Sequence, residues 1–153
     1  MSTSDQTKDR LAKVLKAQMR HKPLDRITIA ELSTAAHVNR NTFYYHFDDI
    51  YALLKWTLEA DIGRKVMQDL GAATWETKYQ LVLDYIVANQ IFCLNAFHSV
   101  GRDMLEEFLI QSATDMVKPV VLDIDPATPA QTVADICNFY GAAIVGQVLL
   151  WLA

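Results

Sequence analysis

The feature that most restricts this chain is a pair of helix-start signals, at Thr28 and Asn39, set close together with a break between them. Thr28 followed three residues later by Glu31 is a capping box. The hydroxyl can accept from the third residue's N–H while the carboxylate reaches back to the cap's own N–H. Asn39 is a good N-cap for a further helix. Between them Ala36-His37-Val38 interrupts the apolar pattern. Ile29, Leu32 and Ala36 can point inward from the first of these helices. Phe43 and Phe47, four apart, make the inner stripe of the second, which carries Arg40 to His46. A longer helix precedes both: Leu11, Val14, Leu15 and Met19 recur at helical spacing over roughly 5–21, before Pro23.

The rest of the chain also has a helical period. Asp48 or Asp49 caps a helix in which Ile50, Leu53, Leu54, Thr57, Leu58, Ile62, Val66 and Leu70 recur at three or four, and Gly71 ends it. Thr74 starts another, with Trp75, Tyr79, Val82, Leu83, Ile86 and Gln90 on its inner face. A junction is expected from Asn95 to Gly101. An amphipathic run (Met104, Leu105, Phe108, Leu109, Met116) should then stop at Pro119, leaving 119–129, with three prolines, as a loop. Thr128-Pro129-Ala130-Gln131 has proline at the first helical position and a capping-box glutamine. The expectation is an all-α chain: a three-helix head over residues 1–48 and an antiparallel helical body over 49–153.

Charge is unevenly placed. The net charge is −4, but residues 1–50 hold eight Lys or Arg against six Asp or Glu, leaving six basic and twelve acidic residues beyond. Three of the four histidines (His21, His37, His46) also lie in the first fifty residues. A mildly basic head on an acidic body suits a surface that meets phosphate while the rest repels it.

Two short helices joined by a three-residue turn describe a helix-turn-helix. In such a unit the second helix enters the major groove with its leading residues at base edges. Arg40 and Asn41 stand there, and Arg pairs bidentately with guanine as Asn does with adenine. Thr42, Tyr44, Tyr45 and His46 can donate to phosphate oxygens, which fix register without reading sequence. Read singly, adjacent tyrosines are half-buried packing groups and a lone Arg is a solvated one. Together on one short helix, apart from Phe43 and Phe47, they make a reading face.

Residues 28–54, TIAELSTAAHVNRNTFYYHFDDIYALL, resemble the DNA-binding head of the TetR family of bacterial regulators. The carriers are the Thr-capped second helix, the alanine-rich turn, Thr42-Phe43-Tyr44-Tyr45-His46-Phe47, the acidic cap and the paired leucines. The resemblance implies base contacts from Arg40 and Asn41, and phosphate contacts from Thr28, Thr42, Tyr44, Tyr45 and His46, with Asn39 beside them at the interface. It also implies a double-stranded operator, a homodimer and an effector acting on the body. The segments DIYALLKW and ANQIFCLNAF further resemble the dihydroxyacetone kinase regulator subgroup, in which a partner protein can deliver the effector. Three departures stand out. His37 occupies a turn position usually held by Gly, where a left-handed backbone costs something. Asn41 stands where a small residue is common. Ile50 replaces a common Lys. His37 and Ile50 keep open a second reading, a protein-interaction or co-regulator module with a degenerate head.

In the body, Trp75, Tyr79, Phe92, Phe108 and Tyr140 could line a small-molecule pocket, or be plain core. The last helix ends with 15 residues free of charge, residues 139–153. That is short of the about 20 a membrane span needs, so a buried or dimer-forming helix over 130–153 is expected instead. Ala142 and Gly146 would let a partner helix come close. Relative to the family this reads as an arrangement without the usual last helix. No glycine-rich phosphate loop, zinc spacing or Ser-His-Asp arrangement is present, so no enzyme, metal or cofactor is expected. His98, Asp103, Glu106 and Glu107 read as a solvated face. The polar N-terminus and the lone pair of cysteines, Cys93 and Cys137, fit a cytoplasmic protein with reduced thiols.

Overall fold

The computed structural model describes residues 3–99 and 102–152, without the side chains of Arg102 and Met104. Among these residues the structure is helical with no strand. In order come α1 (Thr3–Met19), α2 (Ile29–Ala35), α3 (Arg40–His46), α4 (Ile50–Leu58), α5 (Arg64–Met67), α6 (Trp75–Ala88), α7 (Gln90–Phe97), α8 (Arg102–Ile124) and α9 (Ala130–Leu152). The chain forms two compact units. One contains residues up to Ala60 together with Asn89–Leu105; the other contains Asp61–Ala88 and Glu106 onward. The boundary expected between residues 48 and 49 therefore falls inside the first unit.

The first unit is built on a dry core. Leu11, Leu15 and Met19 of α1, Leu24, Leu32 of α2, Phe43 of α3 and Leu53 and Leu54 of α4 are all fully buried. Burying one such side chain is worth roughly 1.5–3 kcal/mol, and helices of seven residues hold only because their neighbours supply it. Thr57 is buried too, with its hydroxyl donating to the Leu53 carbonyl at 2.7 Å, so no polar atom is stranded there. Helix α4 belongs to this core: Trp56 meets Phe47 edge-on, with ring centroids 6.1 Å apart. That packing explains why the head extends past residue 48. Helix α7 joins as well. Phe92, Ala96 and Phe97 are buried, the Asn95 amide donates to the Met19 carbonyl, and the Lys16 ammonium lies 5.6 Å from the Phe92 ring centre.

The second unit is thinner. Its buried apolar side chains are small or medium: Val66, Ile86, Ala113, Val133, Cys137 and Val145. Helices α8 and α9 pack closely at Gly141, where a Cβ would lie 2.5 Å from the Thr114 hydroxyl. Val133, Cys137, Gly141 and Val145, each four apart, are the covered stripe of α9. The other faces are open: Phe139, Tyr140, Leu150 and Trp151 are exposed.

Several boundaries differ from the sequence reading. The helix begun at Ile50 passes through a wide turn, Glu59–Gly63, with i→i+5 bonding, and ends at Met67 instead of running to Gly71. Helix α6 stops at Ala88, so Gln90 opens α7, which runs through the expected start of the junction; Val100 and Gly101 lie outside the described residues. Pro119 does not stop α8, which continues to Ile124. An internal proline costs about 3 kcal/mol. The turns beyond it are tied down: the Asp123 carboxylate accepts from the Ala72 N–H at 2.8 Å. Gly71 allows that approach, since a Cβ there would sit 2.8 Å from the same oxygen. The connecting loop is thus only 125–129.

Helix α9, with 23 residues and Asp135 as its one charge, is long and apolar enough to cross a membrane. The length argument drawn from the last fifteen residues therefore fails, because the less apolar first half of the helix also counts. Both thiols sit where burial pushes their pKa up, that of Cys93 to about 11, so neither is a thiolate at neutral pH.

Candidate nucleic-acid interface

Local hydrogen bonds fix the two short helices of the head. Thr28 caps α2 in a complete capping box: the Glu31 N–H donates to the Thr28 hydroxyl at 3.2 Å, and the Thr28 N–H donates to Glu31 at 2.8 Å. Asn39 caps α3, its side-chain oxygen accepting from the Thr42 N–H at 2.7 Å. Asp49 does the same for α4, accepting from Ala52 N–H at 2.7 Å. These caps are the ones the sequence announces.

The turn between α2 and α3 is a Schellman motif. The Val38 N–H donates to the Ser33 carbonyl and the His37 N–H to the Thr34 carbonyl. This geometry needs a left-handed residue after the helix, and His37 supplies it with φ 56°. The departure at His37 therefore keeps the backbone of the turn and accepts the strain.

Helix α3 then divides cleanly. Phe43 is fully buried and Phe47, its C-cap, nearly so. Arg40, Asn41, Tyr44 and Tyr45 are exposed, Tyr45 most of all at 83%. Thr42 and His46 are half-buried at the edge. The His46 ring stacks edge-on against Tyr45 at 5.0 Å, and burial first, then the Lys8 charge, hold its pKa below the usual histidine value. It is neutral at physiological pH in the free protein.

The hydroxyls have defined duties. Thr42 donates to the Asn39 side-chain oxygen at 3.0 Å, and Thr28 donates to Glu31 at 3.0 Å. Each would have to turn its proton outward to meet a phosphate. The Asn39 oxygen is used twice within the cap, which leaves its amide N–H groups for the outside. Sequence reasoning gave Lys22 no role beyond its charge. Its ammonium is 2.9 Å from Glu31, across the turn of Leu24–Arg26. A pair nine residues apart, bridged by a non-helical turn, leaves no periodic signal. It holds the Glu31 carboxyl down at about 2, the Thr28 hydrogen bonds adding to the effect.

The five aromatic residues considered for a pocket divide between the two units. Phe92 lies in the first unit and the other four in the second. Trp75 and Tyr140 are exposed, and Tyr79 and Phe108 half-buried. An open depression in the second unit, lined by Asp69, Leu70, Thr74, Pro119, Leu122 and Asp123, contains none of them. A helical period marks which residues share a face, but not whether that face is covered.

Two family models match the chain: "Bacterial regulatory proteins, tetR family" over residues 13–55 and "Transcriptional regulator C-terminal region" over residues 73–153. The chain is 29% identical over 111 residues to the HTH-type dhaKLM operon transcriptional activator DhaS of Lactococcus lactis subsp. lactis (strain IL1403). That alignment covers 72% of this chain and 59% of the relative, so the chain spans about three-fifths of that protein's length. Among solved structures, a dihydroxyacetone kinase operon activator DhaS superposes with a TM-score of 0.73 over 95% of this chain and 84% of that one, at 24% identity. That likeness shows a shared all-helical fold. The matched head and C-terminal region, with the capped two-helix unit described above, place the chain in the TetR family of bacterial regulatory proteins.

Proposed function

We propose that the protein is a cytoplasmic homodimer that places two copies of α3 in successive major grooves of a two-fold-symmetric operator, about 34–36 Å apart. The observation that carries this is the split of α3, with Phe43 sealed in the core and Arg40, Asn41, Tyr44 and Tyr45 left in solvent. In this reading Arg40 pairs with a guanine and Asn41 with an adenine. Thr28, Asn39, Thr42, Tyr44, Tyr45 and His46 hold phosphates. The exposed apolar face of α9, around Phe139, Tyr140 and Trp151, supports a dimer over a membrane span, because a two-fold operator needs two heads.

The similarity to a dhaKLM operon activator supports dihydroxyacetone kinase genes as the target. A small molecule, or a partner protein that carries it, would act on the helical body by favouring one of two arrangements of the heads. Trp75, Tyr79, Phe108 and Tyr140 are aromatic groups available to it there, and Phe92 belongs to the head core.

The test separates reading from positioning. Arg40→Ala should cost roughly 1–3 kcal/mol on the selected site and relax preference at one base pair per half-site. Tyr45→Ala should weaken all sequences alike. Binding measured against a panel of single-base operator variants checks both, and an Arg40→Ala profile parallel to the wild type contradicts the assignment.

A further inference from the structure

One basic group of the head, Lys22, is tied to an acid. Lys22 Nζ is 2.9 Å from one Glu31 oxygen, and the other Glu31 oxygen accepts from both the N–H and the hydroxyl of Thr28. Both side chains reach solvent, Lys22 at 31% and Glu31 at 47%. Ammonium, carboxylate and threonine thus form one exposed cluster, and Thr28 is among the residues assigned above to a phosphate. A duplex that brings a phosphate to Thr28 brings it to Glu31 too. Alone, that carboxylate would repel it.

We infer that Lys22 is a further phosphate-binding residue of the DNA interface, and that Glu31 competes with the duplex for its charge, setting non-specific affinity lower than the head could otherwise reach. This rests on the DNA-reading assignment above. The chemistry is simple. An ammonium has three N–H donors, and Glu31 engages one. A phosphate arriving at Thr28 can take a second without breaking the pair. The carboxylate stays ionised throughout the physiological range, since Lys22 and Thr28 hold its pKa near 2. Lys22 therefore always divides its charge between Glu31 and any phosphate, and releases fewer counterions than a free lysine would.

The consequence is that removing the acid should tighten binding, whereas removing the base should loosen it. Glu31→Gln keeps a side-chain oxygen for the Thr28 N–H, because glutamine also completes a capping box. Binding of the full chain to a mixed-sequence duplex is followed by fluorescence anisotropy between about 50 and 200 mM salt, with the melting temperature of each variant recorded. Each phosphate contact contributes about 0.9 to the slope of log affinity on log salt, or about 3.5-fold across that range. Lys22→Ala should flatten the slope by up to about 0.9. Glu31→Gln should raise affinity at low salt and steepen the slope. The double variant should bind more tightly than Lys22→Ala, which leaves the Glu31 charge unopposed, but should not regain the wild-type slope. If the pair only fastens α2, both single variants lower the melting temperature and neither steepens the slope, which overturns the inference. A normal wild-type slope with unchanged variants overturns it equally, while leaving the DNA reading intact. A wild type that binds without salt dependence refutes the DNA reading, and this inference with it.

Discussion

The two units of this molecule hold together by different means. In the first, eight large apolar side chains from four helices and a connecting turn are fully buried, and α2, α3 and α4 each begin on a side-chain cap. In the second, one fully buried side chain, Val66, stands among the largest, while Phe139, Tyr140, Leu150 and Trp151 face out from a 23-residue helix. The first unit is closed within one chain. The second leaves the kind of apolar surface that oligomers cover. A reading head must present its side chains rigidly, so its core is dry. A regulatory body that pairs with a copy of itself, in the proposed dimer, leaves its core to be completed by that copy.

The largest effect should come from breaking the closed side. Phe43→Ala empties the centre of the head, and should cost about 3–5 kcal/mol and abolish DNA binding, checked by denaturant unfolding and anisotropy. If the loss is under about 1 kcal/mol, the head is not the tightly packed unit described. The open side is broken differently. Phe139→Asp puts a charge on the exposed α9 face and should leave the secondary structure intact. It should weaken self-association by about 3 kcal/mol, more than a hundredfold, as read by sedimentation at several concentrations. Equal association of both proteins would remove α9 from the interface.

A smaller change sharpens the account of the head. A left-handed side chain costs about 1–2 kcal/mol, partly regained when glycine replaces it, because glycine loses more freedom on folding. His37→Gly should therefore stabilise the protein by about 1 kcal/mol, raising the melting temperature by a few degrees. A drop would mean that the imidazole makes contacts beyond its backbone role.

The smallest effect concerns His46. Its pKa is lower folded than unfolded, so folding favours the neutral ring. That contribution is present above the unfolded value of about 6.5 and is lost as pH falls below it. Stability should decline slightly more for the wild type than for His46→Gln as pH is lowered through that range. Duplex binding should move the opposite way, because a protonated ring meets phosphate better. A parallel pH dependence for the two proteins in both assays would remove His46 from the account.

What the sequence disclosed was local. Thr28, Asn39 and Asp49 are legible because a cap bonds to residues two or three along, and Phe43 and Phe47 because a buried stripe repeats every turn. The break in the apolar pattern marked the turn at His37, and its left-handed backbone was legible only from the family resemblance, which sets a Gly there. Tertiary features were not. Pro119 stops most helices, but here Asp123 fastens the turns beyond it to the Ala72 N–H, fifty-one residues away in sequence. The break at Asn89 lies inside an unbroken apolar period, so nothing local marks it. Tyr140 and Trp75 look like core by composition and are exposed, because exposure depends on what other helices reach. The Lys22–Glu31 pair was hidden for the same reason, since a short turn brings together groups that no helical spacing relates.

The most direct measurement is selection from a pool of random duplexes by the full-length protein. The account predicts enrichment of a two-fold-symmetric site whose half-sites lie about 10–10.5 base pairs apart, or a multiple of that, with a guanine and an adenine that lose preference when Arg40 and Asn41 are replaced. Enrichment of no site, or of a site unaltered by those replacements, would contradict it.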